Sequence, residues 1–316
     1  MNQTVSGYSF RPADLKADQR RPGIGAFMRI RNGADFLERT ILSHIDYFDE
    51  IVAVHQTCTD ATPDILARLQ QAYGAKLRVF HYADRVFPPG SAGHAATPAD
   101  SPSSMVNYSN FALAMTTVST VTKLDDDHLA IADAVAAVVK ELREMGGAGD
   151  DMLSFSGINL IADAKDGLAV PGQDPLSGSG DIGFFDVTNA TVFTHDRRFE
   201  SVPRPAGKRR FRGFLYWHLK YLKTGLGFAN YDLEENKDSR FARRKERLET
   251  GGEMLSLAEL RRSQRPNLAM QAAALIGEKK RIALDRARSL LASFPDDSLE
   301  AALRRTVAPK YLNGIV

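Results

Sequence analysis

Three consecutive carboxylates, Asp125, Asp126 and Asp127, follow directly on the β-prone segment Thr120–Leu124. In an extended chain, residues two apart share a face, so Asp125 and Asp127 can meet one ligand while Asp126 turns aside. Neighbouring carboxylates repel unless a cation or hydrogen-bond donors lie between them. The triplet therefore reads in two ways. It is a divalent metal site, or it is an acidic turn capping the helix expected to start near Leu129, since Asp is a favoured N-cap and suits the positive helix end. A second charged group runs from Arg204 to Lys223, with seven Lys and Arg residues, no acid and interleaved aromatics. Such a block suits a phosphate-rich ligand or an anionic membrane surface. Its segment Lys208-Arg-Arg-Phe-Arg212 would close over a pyrophosphate or dock on lipid headgroups, or form a solvated loop with no partner. The spacing of Phe214–Lys223 is that of an aromatic helix, with Lys220 and Lys223 one turn apart.

The elements that must position these groups follow from periodicity. Gly23–Ile30 is a mostly apolar first strand, buried on both faces. Asp35–Ile45 places Phe36, Leu37, Ile41, Leu42 and Ile45 on one helical face, and Glu50–Val54 is the next strand, completing a βαβ unit. Pro63–Tyr73 is a helix with Thr62 as its cap and Pro63 at the first position. Lys76–Tyr82 is the third strand. The Pro, Gly and Ser content of Pro88–Ser104 marks a long loop, of the kind that forms lids or plain surface insertions. A helix over Val106–Val118 precedes the strand that delivers the aspartates at its carboxyl end, where open α/β sheets bind ligands. Ile131–Met145 is a helix and Met152–Ile161 a strand. Residues 163–200 look like loops around a short strand, and from Ser239 the chain is mostly helical with dense charge.

At 316 residues and 43% hydrophobic, the chain can bury a large core, and disorder of the whole is excluded. The net charge of +2 does not favour nucleic acid. A single Cys58 rules out an intramolecular disulfide and fits a reducing, cytoplasmic setting. Met1–Pro22 is polar and lacks the apolar run of a signal sequence, so membrane contact is expected to be peripheral, at the inner face.

The pattern Val54-His-Gln-Thr-Cys-Thr-Asp-Ala-Thr62 resembles the Val-Asp-Asp-Gly-Ser-Thr-Asp-Gly-Thr segment of family-2 glycosyltransferases without a gap. Arg29-Ile-Arg-Asn32 stands where that family closes its first strand with Asn, Tyr108-Ser-Asn-Phe-Ala-Leu-Ala114 stands for its Arg-Asn-x-Gly-Leu helix, and Leu124-Asp-Asp-Asp127 for its Leu-Asp-x-Asp. These motifs keep their order over Gly23–Leu129. The resemblance implies an α/β fold of the GT-A type, with a mainly parallel central sheet flanked by helices. The expected organisation is a leader at 1–22, a catalytic domain at 23–236 divided into donor (23–129) and acceptor (130–236) halves, and a helical extension at 237–316.

The resemblance also implies roles. Asp127, with Asp125 and His218, would hold Mn²⁺ or Mg²⁺, since hard oxygen ligands and an imidazole suit these metals. Arg29, Arg31 and Asn32 would meet the nucleotide-sugar donor, as would His55, Gln56 and Asp60. Asn110, Asp125, Asp126 and Lys220 complete the donor set. Asp181, in Ser177-Gly-Ser-Gly-Asp-Ile-Gly-Phe-Phe185, stands where the family carries its catalytic base, with Asp186 and Glu200 as alternatives. His55 and Gln56 replace two family acids, Gly33 a frequent Glu and Ser109 an Arg.

The implied activity is a metal-dependent, inverting transfer from a nucleotide-sugar to a glycan or lipid-linked acceptor hydroxyl in surface polysaccharide synthesis. Homodimerisation is a further expectation. Two other readings stay open. A sugar-phosphate nucleotidyltransferase uses a similar sheet, although Arg31-Asn-Gly-Ala34 is a poor version of its phosphate loop. A non-catalytic sugar-nucleotide or glycan-binding scaffold is suggested by the replaced residues. A phosphatase is disfavoured because Leu129 stands where its motif needs Thr.

Overall fold

A computed structural model of the chain describes residues 3–163, 167–178, 182–195, 200–201, 206–235, 237–295 and 298–315. The leader contributes a strand, β1 (Gln3–Val5), and buries Leu15. The βαβ run follows as β2 (Arg21–Ile30), α1 (Leu37–His44), β3 (Glu50–His55), α2 (Thr62–Tyr73) and β4 (Leu77–Tyr82). Every residue of β3 is buried because helices cover both faces of the sheet. Leu37 and Ile41 of α1 join Leu66 and Leu69 of α2 in the core beneath β2 and β3. Helix α2 starts one residue earlier than its proline suggested. Its N-cap position is Ala61, and Asp60 Oδ1 accepts the Thr62 N–H at 3.0 Å in the turn that leads into it, while Thr62 Oγ1 accepts from the Gly33 N–H at 2.8 Å.

A short helix, α3 (Ala92–Ala96), interrupts the Pro- and Gly-rich segment, and α4 (Met105–Ala114) follows with Ser104 as its cap. Strand β5 (Val118–Lys123) then delivers the aspartates. The next residues depart from expectation. His128–Ala130 forms a strand, β6, and the helix α5 starts only at Ala132 and runs to Met145. The chain continues through β7 (Met152–Asp163), β8 (Gly167–Pro171), β9 (Leu176–Ser177) and β10 (Gly183–Asp186). β11 (Thr194–His195) and β12 (Glu200–Ser201) pair in a ribbon of their own.

The aromatic helix expected over Phe214–Lys223 is instead part of a thirteen-residue strand, β13 (Arg209–Tyr221). Tyr216 stacks toward the site while Trp217 and Leu219 join the core on the other side. Both faces are buried, so the period-2 alternation is hidden and apolar residues recur at helix-like spacing. Aromatic side chains favour the pleated, packed surface. The corrected geometry puts Tyr216, His218 and Lys220 at alternate positions, on one face of a strand.

The large sheet runs β1–β4–β3–β2–β5–β10–β7–β13–β6. The first five strands are parallel neighbours, β10 is antiparallel to both β5 and β7, and β13 runs parallel to β7. Beyond Ser239 come α6 (Arg240–Glu249), β14 (Met254–Leu255), α7 (Leu257–Ser263), α8 (Leu268–Ala274), α9 (Glu278–Ser293) and α10 (Leu299–Thr306). Leu257, Leu260, Leu290 and Phe294 share a core with Trp217 and Leu219 of β13. Trp217 Nε1 donates to Thr306 Oγ1 at 2.9 Å. Among the described residues, no helix is long and apolar enough to cross a membrane.

Candidate active site

A cleft of about 390 Å³ opens beyond the carboxyl ends of β2, β3 and β5. Its floor is the turn Leu124–Asp127, held from two sides. The Leu124 N–H donates to Phe27 O at 3.0 Å, and Asp127 O accepts from the Leu219 N–H of β13 at 2.8 Å. Beyond the turn, β6 pairs antiparallel with β13 so that His128 stands opposite His218. Directly opposed residues in such a pair have neighbouring side chains. Two imidazoles and a carboxylate are thereby gathered from segments some ninety residues apart. One ligand atom from each of Asp127, His128 and His218 lies within 4.8 Å of the others.

Each imidazole is fixed by a neighbour. His128 is buried and stacks on Tyr216 with ring centroids 3.6 Å apart. Tyr216 lies flat across β7 because residue 157 has no side chain, since a Cβ there would come within 2.2 Å of the ring. His218 Nδ1 is 2.6 Å from Asn159 Oδ1, and its Nε2 is 3.1 Å from Asp127 Oδ1. An Nδ1–H donated to Asn159 leaves the Nε2 lone pair facing the carboxylates, the arrangement that orients a metal-binding histidine.

The three aspartates divide. Asp125 pairs with Lys123 at 2.8 Å and lies 3.7 Å from His128 Nε2. Burial opposes its ionisation, but Lys123 and then His128 outweigh it and hold the carboxyl well below the usual range. Asp126 and Asp127 both contact the Lys223 ammonium, at 2.9 and 2.8 Å. For Asp127 burial is again outweighed, by Lys223 and His218, and its carboxyl is held low. Asp126 is pushed up to about 6 by burial, with Lys223 opposing and Asp127 adding to the rise. Burial would lower the Lys223 ammonium, but Asp126 and Asp127 raise it. Burial lowers His128 to about 3, so its ring is neutral and free to act as a ligand.

These residues fit a divalent cation. His128 Nε2 is buried without a hydrogen-bond partner among the described residues and is aimed at the carboxylates. The Lys223 ammonium already marks the place where positive charge is stabilised. Two imidazoles and a carboxylate are acceptable ligands for such a cation.

Of the expected donor residues, Arg29, Arg31 and Gln56 line the cleft with Asp125, Asp126 and Lys220. Arg29 donates to Ser109 Oγ at 2.5 Å, so the residue standing for the family Arg becomes its partner. Lys220 lies over the rings of Phe228 and Tyr231, at 4.6 and 4.7 Å. The structure does not bring Asn32, His55, Asp60 and Asn110 to the cleft. Asn32 accepts from the Thr59 N–H and donates to Asn230, and Asp60 accepts from the N–H groups of Ala34 and Thr62. His55 stacks on His81, and Asn110 exchanges two hydrogen bonds with the backbone of Phe193. Asn32 and Asp60 tie loops together, His55 packs between neighbouring strands, and Asn110 joins α4 to the chain before β11. The absence of a side chain at residue 33 is explained by Asp126, whose Oδ2 would be 2.1 Å from a Cβ there.

Asp181 and Arg204 lie outside the described residues, as does the side chain of Glu200. Ile182 and Gly183, next to Asp181, line the cleft. Asp186 does not. Its carboxylate accepts from Thr120 Oγ1 and from the N–H groups of Ala148 and Gly149, which makes it a structural tie. The basic block is also reassigned. Arg209, Arg210 and Arg212 pair with Glu278, Asp151 and Glu141, and among the described residues of that block Lys220 and Lys223 alone reach the cleft. Sequence reasoning missed His128, Asn159 and the contacts of Lys223. For His128 the signal was its place beside the triplet, whereas Asn159 carried none.

No family model and no curated protein matches the chain. Among solved structures, S. aureus TarS 1–349 is similar at 11% identity and a TM-score of 0.38, over 71% of this chain and 68% of that one. The same protein in complex with UDP aligns at 15% identity and 0.28, over 45% of this chain and 36% of that one. Glucosyl-3-phosphoglycerate synthase from Mycobacterium tuberculosis with Mn²⁺, UDP-glucose and phosphoglyceric acid aligns at 16% and 0.27, over 52% and 53%. The chain thus spans from about a third to two thirds of these structures. Its own sheet order, with five parallel neighbouring strands leading to an acidic turn and an antiparallel strand inserted beside them, is the mainly parallel α/β arrangement expected from the sequence.

Proposed function

We propose that the chain is a metal-dependent glycosyltransferase that moves a sugar, with inversion, from a nucleotide-sugar to the hydroxyl of a glycan or lipid-linked acceptor in surface polysaccharide synthesis. The observation that carries this reading is the convergence of Asp127, His218, Lys220 and Lys223 in one cleft at the carboxyl ends of the sheet, with the buried His128 within ligand distance of Asp127 and His218. A divalent cation, when bound, supplies neutralisation of the charge that grows on the departing nucleoside diphosphate. Lys220 and Lys223 add fixed positive charge on the same side. Arg29, Arg31 and Gln56 form the wall against which the nucleoside would lie. Asp181 takes the proton of the acceptor hydroxyl as its oxygen attacks the anomeric carbon. The bond from that carbon to the phosphate oxygen breaks, and its electron pair leaves with the diphosphate.

The test is a thermal-shift panel of nucleotide-sugars, starting with UDP-glucose, with Mn²⁺ or Mg²⁺, followed by turnover of the best hit. A ligand that binds the folded state raises the melting temperature. Metal should enlarge the shift, and Asp127→Ala should abolish the metal-dependent part. Asp181→Asn should keep binding and lose about 10²–10⁴-fold in turnover. Tight binding with no turnover of any donor would point to the scaffold reading instead. A metal-independent reading has one observation in its favour, the Lys223 ammonium seated between two aspartates. Under it, chelation changes nothing and Lys223→Gln removes activity.

A further inference from the structure

Large apolar side chains exposed on the surface are few among the described residues, and they are concentrated. Leu268, Leu275 and Ile276 are 83%, 89% and 89% exposed, and only Met145, at 52%, lies elsewhere. All three belong to α8 and the turn that ends it. From Leu268 to Ile276 the single polar residue is Gln271, and α8 buries none of its own residues. Its contacts are with α9, against which it packs as one arm of a hairpin. A contiguous exposed apolar element of this kind marks a partner or a membrane.

The charge around it selects between these. Arg261, Arg262 and Arg265 precede α8, and Lys279, Lys280 and Arg281 follow it. The one carboxylate in the interval, Glu278, is taken by Arg209, whose guanidinium it meets at 2.7 Å. Arg262, Arg265, Lys279 and Lys280 are exposed; Arg262 has Glu259 near it, and no ion pair involves the other three among the described residues. An apolar tip set between cations suits a surface with apolar depth beneath a negative layer, which is an anionic lipid bilayer. A second copy of the chain would bring the same cations against themselves.

We propose that α8 and the turn Leu275–Gly277 form a membrane-docking tip that inserts apolar side chains among anionic lipids, with the flanking Arg and Lys residues on the headgroups. The tip is remote from the cleft. Glu278 fixes the start of α9 to Arg209 at the beginning of β13, whereas His218 stands nine residues further along that strand, roughly 30 Å away. Docking and nucleotide binding are therefore separable.

The experiment is flotation of the full chain with vesicles of phosphatidylcholine alone or with about a third phosphatidylglycerol, at low and high salt. The expected result is binding to the anionic vesicles only, weakened by salt. Leu275→Glu with Ile276→Glu, and separately Lys279→Glu with Lys280→Glu, should each reduce the bound fraction about tenfold or more. Both variants should keep the wild-type melting temperature, because the altered side chains are exposed. Met145→Glu, at the other exposed apolar residue, should bind as wild type. Equal binding by the α8 variants overturns the proposal. So does a vesicle-independent dimer, seen by sedimentation velocity, that the Leu275/Ile276 variant abolishes.

Discussion

Asn159 does not line the cleft, yet it sets which nitrogen of His218 faces the aspartates. Partners of this kind fix the tautomer and ring orientation of a metal-binding histidine, and losing one typically costs about 10–100-fold in metal affinity. Asn159→Ala should therefore weaken Mn²⁺ binding by about that factor, measured by titration calorimetry, and also lower the melting temperature of the metal-free protein, because the buried Asn159 Nδ2 donates to Asp174 O at 2.6 Å. Asn159→Asp keeps the acceptor for the Nδ1–H and should recover part of the metal affinity, while sharing the stability loss because it has no donor for Asp174. An equal loss of metal affinity in both variants would reduce Asn159 to a packing residue. At this scale the sequence was readable only in part. The aspartates stood together and could be judged by their own spacing. His128 and Asn159 matter only because strand pairing places them against His218, and no local pattern encodes that pairing.

Among the elements, β13 decides the site. Its aromatic content and its two buried faces concealed a strand, and the same burial explains why the first half of the chain was easier to read. There the short apolar runs alternate with amphipathic helices, and turn residues mark each boundary. In the second half the sheet is built from non-local pairs, and a two-residue strand such as β9 leaves no periodic trace. Gly157 tests the role of β13. Adding a methyl there pushes on the Tyr216 ring, which in turn supports His128. Gly157→Ala should lower stability by about 1–3 kcal/mol in urea unfolding, as overpacked cores do. It should also weaken Mn²⁺ binding, which a change confined to packing would leave alone.

For the whole molecule the informative group is His44. It is buried, its Nδ1 lies 2.9 Å from Thr40 O, and burial lowers its pKa to about 4 despite that backbone contact. The unfolded chain takes up the proton near pH 6.5, while the folded chain refuses it until about pH 4. Stability is thus fully present above pH 6.5 and falls as pH drops from there toward 4, by up to about 3 kcal/mol from this residue. Urea unfolding across that range should show the fall, and His44→Gln should lessen it by the share of His44, leaving the part that the buried His128 contributes. An unchanged slope in the variant would assign the acid sensitivity to other groups.

Tyr216 fits over β7 only where a residue lacks a side chain. If β13 slips by one residue against β7, the ring meets Ser156 or Ile158 instead, and Trp217 and Leu219 exchange faces with His218 and Lys220. The glycine therefore works as a ruler for assembly. In the observed alignment the ligand cluster is assembled, whereas a one-residue slip puts Trp217 toward the cleft and Lys220 into the core, at a cost in stability.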